Sequence, residues 1–165
     1  NATFPHHHSN QDKVNRGKPV IIDIGGTYDG YFSDMTRMAY LGRPSDRYLT
    51  VHNIVEEALL NAVDRVRIGV SAGDVDQAAR GVIEQAGFGE YFVHRTGHGL
   101  GLEIHEPPFI AKNSQLILEE GMVFTIEPGI YLPKEFGVRL EEVVYLAKEG
   151  PRILSNMSRE VRIID

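Results

Sequence analysis

The strongest constraint in this sequence is an aspartate inside an apolar run. Val20 to Ile22 and Ile24 are typical of a buried β-strand, and Asp23 interrupts them. An unpaired carboxylate buried among such residues costs several kcal/mol. The run therefore predicts that a cation or another compensating polar group lies beside Asp23.

The residues that follow predict a β-hairpin. Gly25 to Gly30 end in Asp-Gly, a sequence typical of tight turns, and Tyr31 to Tyr40 is typical of a second strand. An even-residue loop centred near Tyr28 to Gly30 would place Asp23 and Asp34 on one face, with Cβ atoms roughly 4.5 to 8 Å apart. Two carboxylates at that distance repel each other. Either one of them is protonated or cations lie between them.

The composition limits the chemistry that such a site can use. The chain has no cysteine, which excludes disulfides and thiolate ligands, so a metal site must be built from His, Asp and Glu. The formal net charge of −6 provides no basic stripe for nucleic acid. A length of 165 residues without a long apolar run indicates one globular domain and no membrane span.

Two amphipathic helices are predicted after the hairpin. Ser45 can cap a helix from about Asp46 to Arg67, because apolar residues recur there at spacings of three and four. Ser71 opens a second helix, and Gly87 ends it. Both helices are expected to serve packing, and His52 is expected to be a surface or boundary residue.

The second half of the chain is expected to form further strands. Met122 to Ile126 and Gly137 to Leu146 each predict one strand, and the segment 150–165 predicts a polar turn with a short terminal strand. Glu141 and Glu142 are neighbours in the second of these strands, so they should point to opposite faces. Glu142 is then expected to be solvated or salt-bridged.

Five separated motifs together resemble the pita-bread family of dinuclear metallopeptidases, which includes methionine aminopeptidases, Xaa-Pro aminopeptidases and prolidases. They occur in the family's order and extend over nearly the whole chain. The motifs are PHH at Pro5 to His7, IDIGG with SDMTR, HRTGHGLGLEIHEPP, TIEPGIY at Thr125 to Tyr131, and GVRLEE at Gly137 to Glu142. The resemblance implies the α+β pita-bread fold, a curved and mostly antiparallel sheet covered by helices.

The resemblance also implies a set of metal ligands. They are Asp23, Asp34, His98, Glu127 and Glu141. Asp34 and Glu141 should bridge two divalent ions, Asp23 should bind one ion, and His98 with Glu127 should bind the other. Four carboxylates balance two divalent cations. We expect manganese, with cobalt, zinc or iron as alternatives that suit one imidazole among oxygen donors.

In the mechanism that the resemblance implies, a metal-bridging hydroxide attacks the scissile carbonyl. Glu127 would move the proton of the nucleophile to the leaving nitrogen, and His105 would hydrogen-bond the substrate or the developing oxyanion. His6, His94 and Arg139 match positions that line the substrate pocket in the Xaa-Pro branch. The implied substrates are peptides with proline at the second position.

Several alternatives stay open. The enzyme could be a methionine aminopeptidase, or the chain could be a non-catalytic module that binds peptides. Asp23 and Asp34 could form a protonated pair or meet arginines such as Arg37. The three consecutive histidines from His6 could be the remnant of an affinity tag.

The resemblance is incomplete at one end. The family's catalytic domain normally begins well before the PHH motif, so residues 1–165 are expected to be its partial, C-terminal portion, without the first helices and strand. One side of the sheet should then lack its cover, and the exposed apolar surface should favour a homodimer. No targeting signal is visible, and a cytoplasmic location is expected.

Overall fold

The computed structural model describes residues 2–5, 11 and 13–165, where two α-helices and a short 3₁₀ turn at Gly89–Tyr91 accompany ten β-strands. The helices are α1 (Asp46–Arg65) and α2 (Ala72–Gln85). The strands are β1 (Pro19–Tyr28), β2 (Tyr31–Leu41), β3 (Gly97–Gly99), β4 (Glu106–Ile110), β5 (Val123–Ile126), β6 (Gly129–Leu132), β7 (Phe136–Arg139), β8 (Glu142–Ala147), β9 (Gly150–Ile153) and β10 (Arg162–Ile164). They form sheets with the orders β1-β2-β10, β4-β3-β5-β8-β9 and β6-β7.

The predicted hairpin is present, and its turn consists of Asp29 and Gly30. Both residues have positive φ, 49° and 84°, which is the conformation that a two-residue type I′ turn requires. Asp-Gly adopts this conformation at low cost, because glycine has no Cβ and aspartate tolerates the left-handed region. The turn therefore sets the register of the whole β1–β2 pair.

This register places the two aspartates as the sequence predicts. Asp23 lies opposite Thr36, and Asp34 lies opposite Gly25 in the antiparallel pair. Directly opposed residues share a face, so Asp23 and Asp34 are diagonal neighbours on the same side of the hairpin. The prediction that they share one face is confirmed.

The β1 strand is the exposed edge of its sheet. Among the described residues it pairs with β2 alone, and its residues from Asp23 to Tyr28 are exposed. Ile22 and Ile24 are among the exposed apolar side chains on this strand. The sequence predicts such an uncovered side, and dimerisation through it stays a prediction.

Both helices begin where their capping residues predict. The hydroxyl of Ser45 accepts the N–H of Tyr48 at 3.2 Å, and the hydroxyl of Ser71 accepts the N–H of Asp74 at 3.1 Å. The apolar stripes of the two helices pack against each other and against the strands to form the core. Neither helix is long and apolar enough to cross a membrane.

The prediction that His52 is a surface or boundary residue is wrong. Its side chain is only 4% exposed. The ring packs against Tyr48, with 6.1 Å between the ring centroids, and it forms a hydrogen bond to the backbone of Arg159. The distant C-terminal segment therefore covers a helix position that the local pattern places at the edge of the apolar stripe.

The prediction of one continuous strand from Gly137 to Leu146 is also wrong. β7 ends at Arg139 and pairs with β6, whereas β8 begins at Glu142 and pairs with β5. The chain changes sheets at Leu140 and Glu141, where the N–H of Glu141 donates to the carbonyl of Thr36 at 3.2 Å. This hydrogen bond to β2 holds Glu141 outside both the β6–β7 ladder and the β5–β8 ladder.

The strands that pair with β8 and β7, which are β5 and β6, are separated by a break at the corresponding point of the sheets. β5 ends at Ile126, opposite Glu142, and β6 begins at Gly129, opposite Arg139. Glu127 thus lies in one interruption and Glu141 lies in the interruption that faces it. This pair of facing breaks brings two acidic side chains together.

The C-terminal segment differs from its prediction in one respect. It forms two strands instead of one: β9 pairs with β8 through a tight turn that ends at Gly150, and β10 pairs in parallel with β2. Gly150 has a φ of 130°, a conformation that favours glycine. The local sequence does not reveal the β10 pairing, because its partner lies more than a hundred residues earlier.

Two adjacent glycines in β1 provide a test of this hairpin. A methyl group on Gly25 would lie 2.5 Å from the carbonyl oxygen of Ser33, whereas one on Gly26 would meet nothing within 4 Å. We expect Gly25→Ala to lower the free energy of unfolding by about 1 to 3 kcal/mol. Gly26→Ala should change it by less than about 1 kcal/mol. Urea denaturation of both variants measures the difference, and equal costs would contradict the described register.

Candidate metal centre

Three of the five predicted ligands converge. Asp34, His98 and Glu141 offer donor atoms that all lie within 4.8 Å of one another. They come from β2, from β3 and from the break between β7 and β8. His98 and Glu141 are buried and Asp34 is half-buried, so the group is largely withdrawn from solvent.

Glu127 lies at the edge of this group. Its Oε1 is 3.3 Å from His98 Nε2, and Asp34 Oδ2 is 3.8 Å from the same nitrogen. The Thr125 hydroxyl lies 3.4 Å from Glu127 Oε1 and accepts the N–H of His98 at 3.1 Å. The N–H of Glu127 donates to the carbonyl of Thr96 at 2.7 Å. Hydrogen bonds to Thr125 and Thr96 therefore fix the backbone of both residues.

Asp23 lies outside the group of three. Its carboxylate accepts a hydrogen bond from Nη2 of Arg139, and its side chain is 45% exposed. The sequence leaves Arg37 open as a counter-ion for the aspartates, but Arg37 pairs with Glu142 instead. The arginine that meets Asp23 is thus one that the resemblance assigns to the substrate pocket.

Arg139 is buried and connects several parts of the site. Besides Asp23, its guanidinium donates to the hydroxyl of Thr36 at 3.2 Å, to the hydroxyl of Tyr131 at 2.9 Å and to the carbonyl of Pro5 at 2.7 Å. These bonds use the planar fork of a guanidinium, which a lysine could not reproduce. Arg139 therefore fixes the N-terminal segment at Pro5 beside the acidic cluster.

Tyr131 joins His94 to Arg139. His94 Nε2 lies 2.9 Å from the Tyr131 hydroxyl, and His94 Nδ1 lies 2.7 Å from the carbonyl of Arg95. A carbonyl can only accept, so Nδ1 carries a proton, and the hydroxyl can donate to a neutral Nε2. Sequence reasoning assigned no role to Tyr131, and its place in the TIEPGIY motif was the available signal.

Two other predicted residues have different outcomes. His105 is exposed, and its ring meets that of His98 edge-on, with 4.3 Å between the ring centroids. It therefore lies at the rim of the cluster, where a substrate could reach it. His6 lies outside the described residues.

The backbone and side chain of Glu141 are held from both sides. The Thr36 hydroxyl donates to Glu141 Oε2 at 2.7 Å, and Arg37 donates to the Glu141 carbonyl at 2.6 Å. On the opposite face, Glu142 is fully buried and accepts from Arg37 at 2.8 Å and from Arg159 at 3.2 Å. Of the two alternatives for Glu142, the salt bridge is the observed one.

A buried ion pair on α2 supports the loop before β3. Arg80 donates two hydrogen bonds to Asp76, at 2.8 and 2.9 Å, and others to the carbonyls of Phe92 and His94, both at 3.0 Å. Asp76 also accepts the Thr96 hydroxyl at 2.7 Å. The sequence predicted only a packing role for this helix, although an Asp-Arg pair at i,i+4 was the signal.

The burial of the acidic side chains alters their protonation. Burial raises the pKa of Asp34 to about 6, and the charge of Asp23 adds to the rise. Burial raises the pKa of Glu127 and of Glu141 as well, and the neighbouring carboxylates add to both shifts. Burial lowers the pKa of His98 to about 4, so its imidazole is neutral at pH 7. His98 therefore adds no positive charge to the centre when the carboxylates ionise.

A model of metallopeptidase family M24 matches residues 1–148 of the chain. The match includes all nine positions at which metal-binding and catalytic residues are predicted. The chain belongs to metallopeptidase family M24. The expectation from the five motifs is thereby confirmed at the level of the family.

M24 relatives resemble this chain over nearly its full length. The Xaa-Pro dipeptidase of Pyrococcus furiosus is 42% identical over 160 residues, which are 97% of this chain and 46% of the relative. A prolidase structure from Thermococcus sibiricus superposes with a TM-score of 0.97 at 48% identity and covers 99% of this chain and 45% of the other. An X-Pro aminopeptidase from Thermotoga maritima gives 0.96 at 42% identity, with coverages of 99% and 46%.

These matches establish two points. The predicted pita-bread fold, with its α+β architecture, is confirmed by the superposition with the prolidase structure. The chain also spans about half the length of the curated relatives it matches.

The raised pKa values predict how the metal-free protein responds to pH. A folded state with raised carboxylate pKa values binds more protons than the unfolded state, so its stability falls as pH rises through those values. Glu141→Gln removes one such carboxyl and keeps an acceptor for Thr36. We expect the metal-free variant to melt at a higher temperature than the wild type at pH 8 and at a similar temperature at pH 4.

A thermal melt at each pH measures this difference. The comparison between variant and wild type removes the opposite contribution of His98, whose lowered pKa adds stability as pH rises from about 4 to 6.5. Glu149→Gln is the control, because Glu149 is exposed and its one ion pair among the described residues is with Arg152 on the surface. Equal melting temperatures of the wild type and Glu141→Gln at both pH values would contradict the electrostatic description.

Proposed function

We propose that this chain forms the catalytic portion of a metal-dependent exopeptidase that hydrolyses the peptide bond preceding proline. The observation that carries the proposal is the convergence of Asp34, His98 and Glu141 within 4.8 Å, in a member of family M24. The names of its relatives, Xaa-Pro dipeptidase and X-Pro aminopeptidase, support the choice of substrate.

The residues fit divalent metal ions. Asp34 and Glu141 form no ion pair with lysine or arginine among the described residues, although burial makes their charges costly. Bound cations would supply the missing positive charge and reverse the pKa shifts. We propose that Asp23, Asp34, His98, Glu127 and Glu141 would together hold two divalent ions. Manganese, cobalt, zinc and iron all suit this donor set.

The side chains around the centre have separate roles in the proposed reaction. When bound, the ions would activate a water molecule and polarise the scissile carbonyl. Glu127, with its raised pKa, can accept a proton near neutral pH and return it to the leaving nitrogen. His105, at the rim, can hydrogen-bond the substrate oxygen.

The surroundings suit a substrate without an amide hydrogen. An X-Pro bond offers no N–H, so a site must recognise the shape of the ring and the polar groups beside it. A cleft of about 1220 Å³ reaches Asp34 and has apolar residues such as Phe32 and Leu100 in its lining. The Tyr131 hydroxyl is hydrogen-bonded to both His94 and Arg139. These linked side chains provide rigid polar groups beside the same cluster.

Three broader predictions accompany this function. We propose that residues 1–165 belong to a single catalytic domain and that the protein acts as a homodimer. We also propose a cytoplasmic location. The substrate would be a peptide with proline in the second position, and neither nucleic acid nor membrane is a proposed partner.

Hydrolysis of Ala-Pro and Met-Ala by the manganese-loaded protein tests the proposal. We expect release of proline from Ala-Pro and little cleavage of Met-Ala. Glu127→Gln should lower kcat for Ala-Pro by about 10²- to 10⁴-fold, because it removes the proton acceptor. Glu103→Gln is the control in a nearby motif, since Glu103 is exposed, and it should retain wild-type rates.

Two results would contradict the proposal. Faster cleavage of Met-Ala than of Ala-Pro would indicate a methionine aminopeptidase. Binding of both peptides to the metal-loaded protein without cleavage would indicate a non-catalytic peptide-binding module.

A further inference from the structure

Asp76 and Arg80 on α2 form a buried ion pair outside the predicted site. Asp76 is fully buried and Arg80 is 9% exposed. A buried ion pair contributes little to stability compared with apolar side chains of similar volume, so its presence here calls for another reason. Beyond the helix, its hydrogen bonds in the described chain go to residues 92–96, the loop that leads into β3 and His98.

Arg80 holds the backbone of this loop, and Asp76 holds one of its side chains. Arg80 donates to the carbonyls of Phe92 and His94, and its guanidinium lies over the Phe92 ring, with 4.1 Å from Cζ to the ring centroid. Asp76 Oδ1 accepts the Thr96 hydroxyl at 2.7 Å, and two bonds from Arg80 orient that carboxylate. Thr96 is fully buried, so water cannot replace the carboxylate as the partner of its hydroxyl.

Thr96 carries this connection to Glu127. Its N–H donates to the carbonyl of Ile110 at 2.8 Å, and its carbonyl accepts the N–H of Glu127 at 2.7 Å. Glu127 lies in the break between β5 and β6, outside the β5–β8 and β6–β7 ladders. The carbonyl of Thr96 is therefore the backbone partner that sets where the Glu127 side chain begins.

The segments that carry Thr96 and Glu127 cannot move independently. A methyl group on Gly97 would overlap the carbonyl oxygen of Thr125, so the backbones of β3 and β5 are in direct contact beside Thr96. The hydroxyl of Thr125 accepts the N–H of His98 at 3.1 Å and lies 3.4 Å from Glu127 Oε1. Because these contacts are close-packed, a displacement of Thr96 would move Glu127 relative to His98.

We propose that Asp76 and Thr96 are positioning residues that hold Glu127 where it transfers the proton of the nucleophile. Arg80 orients Asp76, Asp76 holds the Thr96 hydroxyl, and the Thr96 carbonyl holds the backbone of Glu127. Proton transfer depends steeply on geometry, and a displacement of about 1 Å can lower a rate by about 100-fold. This inference rests on the proposed function, in which Glu127 is the proton acceptor.

Thr96→Val tests the proposal, because it removes the hydroxyl and keeps the shape of the side chain. KM and kcat for Ala-Pro are measured with the manganese-loaded protein. We expect kcat to fall by about 10- to 100-fold and KM to change by less than about threefold, since the change affects proton transfer and not substrate binding. Thr96→Ser keeps the hydroxyl and should restore kcat to within about threefold of the wild type.

Two further variants separate positioning from stability. Val55→Ala is the control, because Val55 is fully buried in α1 and its truncation lowers the melting temperature without changing the loop before β3. It should keep the wild-type kcat. Asp76→Asn places an amide N–H beside the Arg80 guanidinium and should lower kcat as Thr96→Val does. If Asp76 acts through Thr96, the double variant has a kcat within about threefold of the slower single variant, whereas losses that multiply would overturn the proposal.

Amide hydrogen exchange adds a measurement that does not depend on turnover. It is followed by NMR on the zinc-loaded protein, because zinc is diamagnetic. In Thr96→Val, exchange at the Glu127 amide should become about tenfold faster relative to the amides of α1, the loss expected for one hydrogen bond. Val55→Ala should not raise this ratio.

Three results would overturn the proposal. They are a wild-type kcat in Thr96→Val, an unchanged exchange ratio at Glu127, and a loss of manganese from Thr96→Val in step with the loss of kcat. The third result would mean that the hydroxyl maintains the whole metal centre. Absence of Ala-Pro hydrolysis by the wild type would contradict the proposed function instead, while the exchange ratio still decides whether Thr96 holds Glu127.

Discussion

The repulsion among buried carboxylates is the constraint on which the rest of this structure depends. Asp34, Glu127 and Glu141 approach one another around a neutral imidazole, and burial raises the pKa of each of them. Such a cluster opposes folding at neutral pH unless cations enter it. A fold that maintains it gives up stability at this point, as proteins commonly do at functional sites.

Backbone interruptions, not long regular strands, place these side chains. Glu127 and Glu141 lie in two facing breaks, where β5 and β8 end and β6 and β7 take over. Thr36 then holds the side chain of Glu141, and Thr125 lies between His98 and Glu127. Because backbone bonds and buried hydroxyls fix both carboxylates, the centre is organised before any ion binds.

The sequence predicts the local features of this architecture well. The Asp29-Gly30 turn sets the hairpin register through the conformations that its two residues prefer, and the helix caps follow from Ser45 and Ser71. The motifs that carry the proposed ligands are also local. The family and the convergence of Asp34, His98 and Glu141 are therefore within reach of sequence reasoning.

The features that the sequence did not predict depend on distant contacts. The break at Glu141 requires β2, about a hundred residues away, and the burial of His52 requires the segment around Arg159. Arg139 takes Asp23 as its partner because the β6–β7 pair packs beside the hairpin. None of these contacts has a periodic or turn signal in the sequence, so only the assembled tertiary structure reveals them.

The number of metal ions held by the folded protein tests the central claim most directly. The wild type, Asp34→Ala and the exposed-site control Asp64→Ala are loaded with manganese, desalted and examined by elemental analysis, with circular dichroism as the check of folding. About two ions per chain in the wild type and the control, with most of the metal lost in Asp34→Ala, is the predicted result. A folded wild type that retains no metal, or an Asp34→Ala variant that retains as much as the wild type, would contradict the assignment of a metal centre to this cluster.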